Sequence, residues 1–169
     1  MGAPAPDKEP PLSEEARAAI DRELEKYPKN RRQSAVMSAL RIVQKERRWL
    51  SSESIGQVAD YLGIPAIRAY EVATFYNMYD LKPVGRRKLC ICTNLPCALM
   101  GSVSTAEKLK ETLGVGFGET TPDGMFTLQE GECFGACCDA PLVIVDNERM
   151  RTKVTPEKVE GLLEELRKG

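Results

Sequence analysis

Lys88-Leu-Cys-Ile-Cys-Thr-Asn-Leu-Pro-Cys97 is the stretch in which the chain changes character. Leu89 and Ile91 fall on one face of an extended segment, and Cys90 and Cys92 on the other. That alternation predicts a strand over 88–93, running directly into a cysteine-bearing turn. The residues before Lys82-Pro83-Val84-Gly85 repeat at helical spacing, and much of the chain after them alternates.

Downstream, a helix from about Ser104 to Leu113 is stopped by Gly114, and Met125 to Gln129 alternates as a strand. Leu142 to Val145 and Arg149 to Val154 predict a hairpin around Asp146-Asn147. Thr155 and Pro156 open a last helix with Val159, Leu162, Leu163 and Leu166 facing inward. The order β-α-β-β-β-α predicts a small α/β sandwich with a mixed sheet. Gly114-Val-Gly-Phe-Gly118 has the look of a nucleotide loop, but it follows a helix instead of joining a strand to one, so it reads as a turn.

Upstream, four amphipathic helices are expected. Ser13 caps the first, with Glu14 and Glu15 at its positive end and Ala16, Ile20, Leu24 and Tyr27 on its apolar face. The second runs from about Gln33 to Arg48 around Val36, Leu40 and Val43. Ser52 is expected to cap the third, where Ile55, Val58, Ala59 and Leu62 recur at i, i+3, i+4 and i+7 before Gly63. Pro65 opens a fourth that carries Ile67, Tyr70 and Val72. Each needs to bury one face. Phe75-Tyr76-Asn77-Met78-Tyr79 reads equally as helix-end core or as a patch for a partner. Arg31, Arg32, Arg41, Lys45, Arg47 and Arg48 read as a solvated basic face able to meet an acidic subunit.

The 169 residues are 42% apolar and 29% charged, as in a soluble globular protein. A net charge of −1 argues against nucleic acid as a partner. No apolar run approaches the roughly 20 residues that span a bilayer, so direct membrane insertion is not expected. Residues 1–11 are Pro-rich without an apolar core and read as a short disordered leader, not a secretory signal. The chain has no histidine, which removes His-ligated zinc, Rieske-type clusters and imidazole catalysis.

Six cysteines lie between Cys90 and Cys138. Four form two pairs, Cys92-Thr-Asn-Leu-Pro-Cys97 and Cys133-Phe-Gly-Ala-Cys137, one at a strand end and one in a Gly-containing loop. Two loops supplying two thiolates each suit a [2Fe–2S] cluster. Gly101, Gly131 and Gly135, with Ala98 and Ala136, would let backbone N–H groups approach such a negatively charged site. A four-cysteine zinc site is the rival reading, although zinc more often uses C-x2-C pairs. A thioredoxin-type thiol exchanger would need C-x-x-C, which is absent. Cys90 and Cys138 read as bystanders, Cys138 being the nearer to a ligand.

The sequence resembles the small peripheral [2Fe–2S] subunit of respiratory NADH:quinone oxidoreductase, complex I. The resemblance rests on Arg32-Gln-Ser-Ala-Val, Trp49-Leu-Ser51, Val72-Ala-Thr-Phe-Tyr76 and Pro83-Val-Gly85, and on both cysteine pairs. It continues through Gly118-Glu-Thr-Thr-Pro-Asp-Gly124, Phe126-Thr-Leu128, Glu132-Cys133 and Ala140-Pro141. It implies an α+β fold, with a helical domain over 12–82 followed by a thioredoxin-like [2Fe–2S] domain over 83–169. It implies cluster ligands at Cys92, Cys97, Cys133 and Cys137, with no catalytic residue toward NADH in this chain. It also implies a larger partner that holds FMN, the NADH site and a [4Fe–4S] cluster; the leader, unlike an Arg-rich transit peptide, points to the cytoplasmic side of a bacterial inner membrane rather than to a mitochondrial matrix. The same module occurs in NAD-linked hydrogenases and formate dehydrogenases. Phe134, where the family commonly has leucine, and Cys138 are departures.

Overall fold

A computed structural model describes residues 9–168, and the chain divides between Pro83 and Val84 into two units. The first holds α1 (Glu14–Leu24), α2 (Val36–Arg47), α3 (Ser52–Leu62) and α4 (Ala66–Phe75). Ser13 caps α1 as expected, its hydroxyl accepting from the Ala16 N–H at 3.0 Å. A 3-10 turn over Arg32–Ala35 replaces the expected start of α2. The cap of α3 is Ser51, not Ser52: Ser51 keeps an extended backbone and accepts from the Ser54 N–H, whereas Ser52 is already helical. Ile20, Leu40, Val43, Ile55, Val58 and Leu62 are buried in one core, each stabilising the fold by roughly 1.5–3 kcal/mol.

The fourth helix departs from expectation. Ala69 and Ala73 are its buried residues, while Ile67 is 60% and Tyr70 43% exposed. At about 100° per residue, position 67 lies roughly 120–160° around the helix from 69 and 73, and position 70 flanks them at roughly 60–100°. The alanines permit close packing, and that choice turns the larger side chains outward. The aromatic run that follows splits the same way. Tyr79 is buried, with its hydroxyl donating to the Met37 carbonyl, whereas Phe75 and Tyr76 are exposed and stack edge to face. Burial pushes the Tyr79 phenol up to about 12.

The second unit holds β1 (Arg87–Cys92), α5 (Leu95–Leu99), α6 (Ser102–Leu113), β2 (Glu119–Thr120), β3 (Phe126–Gly131), β4 (Val143–Val145), β5 (Arg149–Arg151) and α7 (Val159–Lys168). The strand order is β2-β3-β1-β4-β5, with β1 parallel to β3 and antiparallel to β4, so the sheet is mixed as expected. Leu89 pairs across to Leu128 on one side and Val145 on the other, which puts all three on one face. With Ile91, Phe126 and Val143 they form a core closed by Leu109 of α6 and Leu163 and Leu166 of α7. Asp146 and Asn147 turn the β4–β5 hairpin in the left-handed region. The Asp146 carboxylate then accepts from the Lys88 N–H and the Arg87 guanidinium. The strand β2 and the helix α5 were not expected; two and five residues are too few to show a period. No helix among the described residues is long and apolar enough to cross a membrane.

Two arginines of the basic run are structural. Arg32 donates to the Tyr61 and Leu62 carbonyls at the negative end of α3. Arg47 donates to Glu9, Ser54, Gln57 and the Pro10 carbonyl. Residues 1–8 of the expected leader lie outside the described residues, but Glu9 and Pro10 are thus tied to α2 and α3. Burial alone would raise the Glu9 carboxyl; hydrogen bonds from Ser54 and Ser51 and the Arg47 charge outweigh it and hold it below 4.5. A carboxyl depressed in the folded state contributes stability above its unfolded value and loses it as pH falls through the folded one. Arg47→Met is therefore expected to lower stability by roughly 2 kcal/mol at neutral pH, because it strands partly buried acceptors. The deficit relative to wild type should narrow below pH 4.5, as read by urea unfolding at several pH values.

Candidate metal centre

Strands β1 and β3 run parallel in a register that pairs Cys92 with Gly131, so their carboxyl ends stop at one height. Ligand sites in such sheets lie just beyond those ends. From β1, the chain turns through Thr93 and Asn94 into α5, which brings Cys97 back toward Cys92. From β3, the chain must reach β4, and β1 lies between the two. The segment over 132–142 therefore crosses two strand spacings, about 10 Å, over the end of β1. The crossing is fastened by the Cys92 N–H donating to Leu142 and the Thr93 N–H to Gly131. The Thr93 hydroxyl donates to Glu130 at 2.6 Å and the Asn94 amide to Glu132 at 3.1 Å.

This topology brings all four expected cysteines together. Cys92 and Cys97 are fully buried in a small apolar cluster with Ala140 and Leu142, flanked by Phe134 and Ala136. Cys137 is half-buried and Cys133 exposed. The Cys133 and Cys137 sulfurs lie 4.0 Å apart, close to the roughly 3.8 Å that two thiolates keep on one tetrahedral metal with bonds of ~2.3 Å. The Cys97 sulfur interacts with those of both Cys92 and Cys137, linking the two pairs. Among the described residues, no three His, Cys, Asp or Glu side chains gather as a site for a single ion. Two adjoining pairs of cysteine thiols are a donor set that fits a binuclear iron–sulfur group.

Burial, then hydrogen bonding and charge from Cys92, pushes the Cys97 thiol up to about 12. Hydrogen bonding with Cys133 raises Cys137. Both thiols therefore stay protonated near neutral pH until a metal displaces the proton, which couples metal binding to proton release. One N–H already points at a sulfur: Gly135, left-handed at φ 76°, donates to Cys133 at 3.4 Å. Gly101, by contrast, serves the junction between α5 and α6, where it precedes α6 at φ 93°.

The two departures from the family pattern have distinct surroundings. Cys138 is exposed. Phe134 folds its ring back over Gly131, so close that a Cβ there would lie 2.5 Å from the ring tip and 2.6 Å from the Cys90 sulfur. Cys90 thus has a packing role that its place in the cysteine series does not reveal. The sequence signal was a glycine at a strand end with an aromatic residue three positions on. Gly131→Ala should displace the crossing segment and cost about 1–3 kcal/mol by overpacking. Adding Phe134→Leu, which removes the ring but leaves the Cys90 sulfur in place, should restore only part of the loss, and Cys90→Ala on top of it the remainder; urea unfolding of the single, double and triple variants checks these outcomes.

Comparison with known proteins agrees with the fold. The family described as thioredoxin-like [2Fe-2S] ferredoxin matches residues 20–167. An NADH-quinone oxidoreductase subunit of Rickettsia bellii is 43% identical over 145 residues, 85% of this chain and 86% of that protein. The NADH-quinone oxidoreductase subunit 2 of Thermus thermophilus is 41% identical over 144 residues, 85% and 80% of the two chains. A chain of a NAD+-reducing [NiFe]-hydrogenase in its air-oxidized state shares the fold, with a TM-score of 0.67 and 17% identity, over 84% of this chain and 24% of its own. On its sheet, its gathered thiols and these matches, the chain belongs to the thioredoxin-like [2Fe–2S] ferredoxin family.

Proposed function

We propose that the chain is the electron-transfer subunit of the NADH dehydrogenase module of a respiratory NADH:quinone oxidoreductase. In this reading Cys92, Cys97, Cys133 and Cys137 hold one [2Fe–2S] cluster that exchanges single electrons with the FMN of a partner subunit. The observation that carries it is the convergence of these four thiols from two loops beyond the end of β1.

When bound, the cluster supplies one-electron redox chemistry and nothing else. The protein's own part is asymmetric. Ala140 and Leu142 keep water from the inner pair, Cys92 and Cys97, while the outer pair, exposed Cys133 and half-buried Cys137, lies nearer the surface, where a partner's redox group can approach. The Gly135 N–H is placed to stabilise negative charge on the Cys133 sulfur. NADH delivers a hydride, two electrons at once, so a flavin must stand between it and a one-electron carrier. We place FMN, the NADH site and a [4Fe–4S] cluster in the partner, and the assembly on the cytoplasmic side of a bacterial inner membrane.

Relatives above 40% identity that are named as NADH-quinone oxidoreductase subunits support this assembly over a NAD-linked hydrogenase or formate dehydrogenase. The hydrogenase likeness, at 17% identity, speaks to the fold alone. The paired arrangement of thiols favours two metals over a four-cysteine zinc site.

Anaerobically purified protein should contain about two irons and two acid-labile sulfides per chain; one zinc and no iron would overturn the assignment. Each of Cys92→Ala, Cys97→Ala, Cys133→Ala and Cys137→Ala should lose or distort the cluster's visible absorption, whereas Cys138→Ser and Cys90→Ser should retain near wild-type iron. The chain alone should not be reduced by NADH, and should be once the FMN-binding subunit is added. Rapid reduction without flavin would reveal a nucleotide site in this chain.

A further inference from the structure

The short helix α5 turns Cys97 inward and its other large side chains outward. Leu95 and Leu99, four residues apart, are 70% and 79% exposed; Met100 is 57% and Val103, at the start of α6, 50%. These are four of the ten large apolar side chains exposed among the described residues, and they fall within nine positions. Apolar residues scattered singly over a surface need no explanation, but a contiguous group is the mark of a binding face. Nothing in the packing of the unit requires them outside: the inward positions are filled by Cys97, Thr105 and Ala106.

The edge of the patch is acidic. Asn94, which begins α5, holds Glu132, and Thr93 beside it holds Glu130; both carboxylates are bonded to neutral groups at the surface. The thiolates of a bound cluster would add further negative charge at the same end of the sheet. A second copy of the chain would bring like charges together, and an anionic lipid surface would be repelled. The complementary surface is apolar at its centre with lysine or arginine at its rim.

We infer that Leu95, Leu99, Met100 and Val103, rimmed by Glu130 and Glu132, form the docking face for a basic-rimmed apolar surface on the flavin-bearing partner subunit. This rests on the function proposed above. It also gives that function a geometry: the face is the outer side of the helix whose inner side carries Cys97, so a partner seated there is within one helix diameter, ~10 Å, of the thiol cluster.

The test uses the full chain with its cluster and the FMN-binding subunit co-expressed with it. The double variant L95D/L99D should keep wild-type iron content and visible absorption while its Kd for that subunit rises at least about tenfold. Met150→Asp, at another exposed apolar position, on β5, should bind as wild type. The pair E130Q/E132Q should slow association and weaken its salt dependence. If the double variant loses iron, Val103→Asp on α6 carries the same expectation. Binding of L95D/L99D and Val103→Asp at wild-type strength overturns the docking face and leaves the proposed function standing. A wild-type chain with no affinity for the FMN-binding subunit overturns both. A wild-type dimer, or binding to phosphatidylglycerol vesicles, that L95D/L99D abolishes would overturn the proposal by showing that the face has a different occupant.

Discussion

The position of β1 between β3 and β4 is the constraint from which the site follows. Because β1 and β3 are parallel, both deliver their carboxyl ends to one edge, and the turn after each begins there. Because β4 runs antiparallel on the far side of β1, the chain leaving β3 must cross above Cys92 before it can pair again. Two cysteine pairs separated by 36 positions from Cys97 to Cys133 are thereby stacked over one strand end. An antiparallel β1–β3 pair would have sent the two loops to opposite edges of the sheet.

Burial divides the same site into an inner and an outer half. Cys92 and Cys97 sit among Ala140 and Leu142, and burial there raises the Cys97 thiol. Cys133 and Cys137 face outward on a segment seated by Phe134 against Gly131. The seat works because glycine leaves room for a ring at the end of a strand. In the cluster proposed here the inner pair would give permanence, the outer pair access. Access matters for a carrier whose electrons come and go through the surface.

Charge and apolarity carry meanings here that composition alone inverts. Within the basic run over 31–48, which reads as a solvated face, Arg32 closes the end of α3 and Arg47 binds Glu9, Ser54 and Gln57. The large apolar residues of α4 look like core, yet Ile67 and Tyr70 are exposed. Helical periodicity identifies a stripe of hydrophobic residues. It does not say whether a neighbouring stripe of alanines will pack more closely, as Ala69 and Ala73 do.

The sequence by itself determined the local elements and the chemistry. Ser13 marked the start of α1, period-four spacing placed Ile55, Val58 and Leu62 inside, and the absence of histidine left thiolate as the ligand type. These are properties of neighbours in the chain, written in spacing and side-chain type. Only the tertiary structure decided that β1 lies beside β3 in parallel, that Cys90 and Phe134 both close on Gly131 while Cys92 meets Cys97, and that Leu95 and Leu99 stay outside. Each of those depends on which distant segment arrives alongside. Strand pairing is set by the fit of whole faces, Leu89 against Leu128 and Val145, and a two- or five-residue element has no period of its own from which to predict it.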